Sequence, residues 1–148
     1  MQFSFRFDPE IIWAEQLERE SVGLPKLLGM RTTEIEPGRS VCELPVRPEI
    51  VTQYGMAHGG LVSALIDHIL GSVCYPVIQR SSWVATTTYT VNFLAPVRVG
   101  LLTATARIAS ITSRTAVVQV EASNDGREVA LAQGFAMLMP PRPDAKPS

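Results

Sequence analysis

The sequence carries no surplus of charge of either sign: 13 Lys and Arg stand against 14 Asp and Glu, a net charge of −1. Without a basic excess to neutralise phosphates, a nucleic-acid partner has no electrostatic footing. Cysteine is scarce. Cys42 and Cys74 form no CxxC pair and are too few to build a zinc site, so neither a metal nor a cofactor is expected. Both read as reduced, buried small hydrophobes of a cytosolic protein. Long apolar runs are missing as well. The richest stretch, residues 61–73, is broken by Ser63, Asp67 and His68, and it falls short of the roughly 20 residues that cross a bilayer. The opening MQFSFRFDPE alternates apolar with polar residues and carries Arg6 and Asp8, so it lacks the continuous apolar segment of a secretion signal. A cytoplasmic protein with no membrane span is the expectation. Internal repeats and linker-like stretches are absent too, which points to one domain.

What is present is apolar bulk. Hydrophobic residues make up 46% of 148, charged residues 18%, and the mean hydropathy is +0.15. This exceeds what a lone small domain needs for its core and suggests self-association. Asp8 and Pro9 suit an N-cap and a first helical position, and Ile11, Ile12, Ala14 and Leu17 follow at helical spacing up to Gly23 and Pro25. Residues 28–46 read as two strands around the turn Glu36-Pro37-Gly38-Arg39, and residues 47–57 as a loop. Residues 59–74 predict a second helix, stopped by Pro76. After it the period falls to two in four runs, residues 83–95, 101–111, 115–123 and 129–139, joined by turn-like segments. The organisation is thus an N-terminal helical extension over 1–25, a domain over 26–139 and a flexible tail over 140–148. A helix apolar almost all round must be buried on nearly every side. The expected class is therefore α+β: a long central helix wrapped by a curved antiparallel sheet of about six strands, with an extra N-terminal helix.

The exceptions in that helix line up. Gly60, Ser63, Asp67 and Gly71 are spaced 3, 4 and 4 apart and form one small, polar stripe. A carboxylate in a buried helix is costly unless it is paired, hydrogen-bonded or used. A partner on a neighbouring chain would make Asp67 structural. The start of the helix favours a chemical role. Gly59-Gly60 after His58 opens the helix with amides that have no intrahelical acceptor, at the positive end of the helix dipole, where a carbonyl oxygen turning into an oxyanion can be held. Asp67 lies roughly 12 Å further along by rise per residue, too far to serve the same carbonyl. Two copies with antiparallel helices would bring one chain's Asp67 to the other's Gly59, so the spacing argues for a dimer with a shared site.

The run Tyr54-Gly55-Met56-Ala57-His58-Gly59-Gly60 has Asp67 nine residues after His58 and Gly71 beyond. Together with Thr86-Thr87-Thr88-Tyr89-Thr90-Val91-Asn92-Phe93-Leu94-Ala95-Pro96, ending at Gly100, and with Asn124-Asp125-Gly126 before Val129-Ala130, it resembles hotdog-fold acyl-CoA thioesterases of the phenylacetate-degradation (PaaI-like) type. The likeness covers roughly residues 26–139. It implies a hotdog fold and an acyl-CoA substrate, and a homodimer or dimer of dimers with sites between subunits. It also implies a thioester carbonyl held by the Gly59 amide, with Asp67 attacking the thioester or activating water against it. Thr86 matches the polar residue that positions water or carboxylate, with Thr88 expected as its same-face neighbour. His58 is implied as a loop organiser, with Gly60 beside it and Ser63 on the stripe. Where many members carry Asn six residues before the His, this chain has Thr52, with Gln53 next to it; either could hold the loop or touch substrate. His68 points about 100° away from Asp67 and reads as structural. Leu65, Ile69 and Tyr89 either line the acyl pocket or belong to the core. Gly-x-Ser-x-Gly is absent, so Ser63 is no elbow nucleophile. Arg107, Arg114 and Arg127 read as solvated. A hydratase or dehydratase on the same fold fits the spacing of Asp67 poorly, and a non-catalytic acyl-CoA-binding module remains the reading from another class.

Overall fold

The computed structural model describes residues 7–141; the ends of the 140–148 tail and of the opening segment lie outside the described residues. Helix α1 (Pro9–Glu20) starts where its cap residues place it, with the Asp8 carboxylate accepting from the amides of Glu10 and Ile11. A second short helix follows, α2 (Gly23–Leu28), which the sequence reading did not separate. Pro25 sits in its first turn, where its missing N–H costs nothing, so it does not stop the helix. Gly29 ends it in the left-handed region. This helix straddles the expected segment boundary at 25/26.

Six strands form one antiparallel sheet in the order β1-β2-β4-β5-β6-β3: β1 (Arg31–Glu36), β2 (Arg39–Val46), β3 (Trp83–Phe93), β4 (Gly100–Ile111), β5 (Thr115–Asn124) and β6 (Arg127–Met139). All five strand pairings are antiparallel. The central helix α3 (Gly59–Ser72) comes between β2 and β3 and passes into a 3₁₀ turn, Tyr75–Val77, which contains Pro76. The helical stretch Gly59–Val77 has 19 residues and is long and apolar enough to cross a membrane by length and composition alone. The sheet curves round it instead, and Leu65, Ile66, Ile69 and Leu70 are completely buried.

The sheet meets the helix with small side chains. Ala104, Ala106, Ala116, Ala122, Ala130, Ala132 and Ala136 are all buried, so the leucines and isoleucines of α3 can press onto the strand backbones. The closest approach is at Gly134, where an added Cβ would stand 2.1 Å from Leu70 Cδ1. Leu65 and Ile69 are thus core residues. The opposite side of α3 has no such cover: Gly60 and Asp67 are exposed, Ser63 and Gly71 half-buried, and among the described residues no atom outside the helix lies within 4 Å of where a Cβ on Gly60 or Gly71 would be. The uncovered stripe is the one marked by the sequence. It lies on the helix whose neighbour β3 is an open edge of the sheet.

Candidate active site

Asp67 borders a cavity of about 470 Å³ together with Gly71, Val84, Thr86, Thr87, Thr88 and Tyr89. Helix α3 supplies the carboxylate and edge strand β3 the facing wall. Among the described residues Asp67 has no hydrogen-bond or ion-pair partner within the chain. It is an exposed group on the open stripe, where the sequence suggested a buried one: a single copy of the sheet covers only the other side of the helix.

A bulge shapes the facing wall. Thr86 pairs with buried Ala136 and Thr88 with exposed Phe135, and the register shifts between them. Successive residues of β6 face opposite sides of the sheet, so Thr86 points to the helix side and Thr88 to the outer side. The expected same-face relation of Thr86 and Thr88 is therefore corrected. Thr87 is the extra residue, and its hydroxyl donates to the Phe135 carbonyl at 3.1 Å. Thr88 still contributes to the cavity wall, as does Tyr89, which also packs on the core.

The His58-Gly59-Gly60 turn stands at the other end of α3. His58 is the N-cap residue, extended at φ −62°, ψ 146°, with an exposed side chain that makes no cap hydrogen bond. Its carbonyl accepts from the Leu61 amide at 2.9 Å, while the Ala57 amide ties the loop to the Val97 carbonyl at 2.8 Å. Among the described residues the amides of Gly59 and Gly60 have no acceptor. They form an unused pair of donors at the positive end of the helix. One chain therefore brings Asp67, Gly71, Thr86 and Thr88 together and leaves His58, Gly59 and Gly60 apart from them. Thr52 is engaged within its own loop. The Thr52 hydroxyl accepts from the Tyr54 amide at 3.2 Å and its backbone bonds Met56 and Gly55, so Thr52 holds the loop. Gln53 is exposed. Phe93 of the β3 motif also reaches this turn, which no local pattern signals: its ring lies against Gly59.

Behind the stripe lies a buried polar cluster. His68 and Cys42 approach Glu20 from α3 and β2, and the three ligating atoms lie within 4.8 Å of one another. The chemistry of the set favours hydrogen bonding over metal ligation. Burial pushes the Cys42 thiol up to about 12, and the Glu20 oxygens are already engaged by Thr32, Gln16 and His68.

The model of the thioesterase superfamily matches residues 54–131, the segment that holds the His58 turn, α3 and β3. A 1,4-dihydroxy-2-naphthoyl-CoA hydrolase of Listeria monocytogenes is 27% identical over 104 residues, 70% of this chain and 85% of its own. Human acyl-coenzyme A thioesterase 13 is 25% identical over 99 residues, covering 66% of this chain and 70% of that one. In fold, the E. coli PaaI protein superposes with a TM-score of 0.79 at 23% identity, over 89% of this chain and 96% of its own.

Proposed function

The chain belongs to the thioesterase superfamily, and on that premise we propose that it hydrolyses an acyl-CoA thioester to a free acid and coenzyme A. Asp67 serves as general base or nucleophile, and the Gly59 amide polarises the thioester carbonyl. The observation that carries the reading is the unpartnered Asp67 carboxylate on the wall of a cavity beside Thr86. As general base it takes a proton from water while the oxygen adds to the carbonyl carbon; the C–S bond then breaks and the sulfur leaves with a proton. As nucleophile it displaces the coenzyme A thiolate, which leaves as the C–S bond breaks and takes up a proton, and water then opens the resulting acyl anhydride to release the free acid. Either route builds negative charge on the carbonyl oxygen, and an acceptor-free helix-terminal amide suits that charge. Thr86, on the same cavity wall as Asp67, takes the role of orienting the water or the carboxylate.

The two halves of this chemistry lie roughly 12 Å apart along α3. A second copy joined along the open edge of β3, its helix antiparallel, supplies the Gly59 amide that faces Asp67. The uncovered stripe of small residues supports such a dimer, because none of the described residues fills the space over Gly60 and Gly71. A dimer of dimers is supported by Leu131, Phe135 and Met137, apolar yet exposed on the outer side of β6. His58, Gly60, Ser63 and Gln53 complete the proposed substrate contacts around the helix start and stripe, and the location proposed is cytoplasmic.

The test is free-thiol release from phenylacetyl, hydroxybenzoyl and straight-chain acyl-CoAs, with the wild type beside Asp67→Asn. Release by the wild type that falls at least about 10³-fold in the mutant is expected. Tight acyl-CoA binding by a folded wild type that turns nothing over leaves a binding module instead.

A further inference from the structure

Helix α1 looks from its sequence like a surface helix, yet two of its polar residues are buried. Gln16 is completely inaccessible and Glu20 is 8% exposed; one turn apart, they share the face that meets β1 and α3. The Glu20 carboxylate accepts from the Thr32 amide at 3.0 Å through each oxygen and from the Thr32 hydroxyl. It also accepts from Gln16 Nε2 at 2.8 Å and lies 3.2 Å from His68 Nε2. Gln16 reaches the Thr32 hydroxyl at 3.0 Å and the Ser72 hydroxyl at 3.4 Å, and Ser72 in turn donates to the His68 carbonyl at 2.8 Å. Burial alone would push the Glu20 carboxyl up; the hydrogen bonds from His68, Thr32 and Gln16 outweigh it and hold it at about 2. The acceptor therefore stays ionised at working pH, and His68 Nε2 carries the hydrogen.

This clamp acts on one helix position, and the next residue is Asp67. Two neighbours on a helix point about 100° apart, so a side chain pinned on the rear fixes where the front one aims. A 20° rotation of α3 would carry a side-chain tip at 5–6 Å from the axis through about 2 Å. Misplacements of about 1 Å cost on the order of 10²-fold in rate. The buried leucines and isoleucines of α3 limit its rotation as a whole, but among the described residues Asp67 has no hydrogen bond or ion pair of its own to hold its aim.

We infer that Glu20 and His68 are a positioning pair, through which the N-terminal helix trims the rotation that the buried side chains of α3 set against the sheet, and with it the aim of the Asp67 carboxylate into its cavity. The inference rests on the reading of Asp67 given above. Gln can reproduce it at position 68, because its Nε2 falls where the imidazole Nε2 does; Asn is too short.

The experiment compares kcat and KM for thiol release in His68→Gln, His68→Asn and Glu20→Gln, each also combined with Asp67→Asn. Urea unfolding is followed in parallel, and Glu20→Gln is the second probe should His68→Asn not fold. Expected is a kcat near wild type for His68→Gln and a loss of about 10–100-fold for His68→Asn and Glu20→Gln, with KM changed less than about twofold. In the Asp67→Asn background these two substitutions should cost nothing further. Wild-type kcat in His68→Asn or Glu20→Gln overturns the inference while an inactive Asp67→Asn leaves the reading of Asp67 standing. Undiminished turnover by Asp67→Asn overturns both.

Discussion

The ring of Phe93 occupies the place a side chain on Gly59 would need: a Cβ there would stand 2.9 Å from Phe93 Cζ and 3.3 Å from both Cε atoms. Glycine at the first position of α3 thus lets the end of β3 close over the helix terminus. Phe93 is 55% exposed, so its ring can swing outward at small cost. Gly59→Ala and Gly59→Pro both add the Cβ, but only proline removes the N–H, and proline is well tolerated at the first helical position after an extended residue such as His58. Melting temperatures of the two variants should agree within a few degrees. Thiol release should fall only several-fold in Gly59→Ala and about 10²–10³-fold in Gly59→Pro. Equal losses would assign the effect to Phe93 and not to the amide.

Gly134 offers no such escape. Its added Cβ would meet Leu70 Cδ1 at 2.1 Å, Tyr89 Cβ at 2.9 Å and the Thr88 carbonyl oxygen at 3.2 Å. Leu70 is completely buried, and a strand carbonyl cannot move without disturbing the β3–β6 ladder. Gly134→Ala should destabilise the chain by about 3 kcal/mol in urea unfolding. Leu70→Ala should also be destabilising alone, yet the double variant should lose less than the sum of the two, because the truncation vacates the space the methyl needs.

The legible parts of this molecule are those governed by local pattern. The Asp8 cap, the central helix, the hairpin turns and four long strands follow from capping chemistry and periodicity, and the Gly60, Ser63, Asp67, Gly71 stripe from spacing on one helix. Three features depend on tertiary packing and carry no local signal. The bulge at Thr87 reverses the faces of β3 halfway along, and a strand of threonines has no alternation to betray it. Gln16 and Glu20 look like any solvated helix face until Thr32 and His68 arrive from 12 and 48 residues beyond Glu20. Gly134 sits in an apolar strand like any small residue, and only the approach of Leu70 makes it indispensable. The carboxylate in the candidate site was legible because its chemistry conflicts with its helix; its surroundings were not.

Acid should unfold the protein partly through Glu20. The folded carboxyl titrates at about 2, below the ordinary 4.5, so the folded state binds its proton less readily than the unfolded chain. The stabilisation is complete above the unfolded value and disappears as pH falls from about 4.5 towards 2. It is on the order of 3 kcal/mol. Urea unfolding of the wild type should therefore lose stability over that window. In Glu20→Gln the starting stability should be lower and the slope in the same window shallower; an unchanged slope would place the acid sensitivity in other carboxylates.

The division of the site along α3 can be tested by mixing inactive chains. Gly59→Pro lacks the amide and Asp67→Asn the carboxylate. In the proposed dimer, either variant alone would carry the same lesion in both sites. If each site takes its amide from one copy and its carboxylate from the other, a heterodimer of the two variants gathers both lesions into one site and leaves the second wholly intact. Random pairing after co-refolding from urea makes half the dimers mixed, each with one working site of two, so thiol release should recover to about a quarter of the wild-type value per chain. Dilution below the dimer dissociation constant should abolish the recovery, as it should abolish wild-type turnover. A mixture that stays inactive while its chains demonstrably exchange would mean that amide and carboxylate serve one site within a single chain. The roughly 12 Å between them along the helix argues against that arrangement.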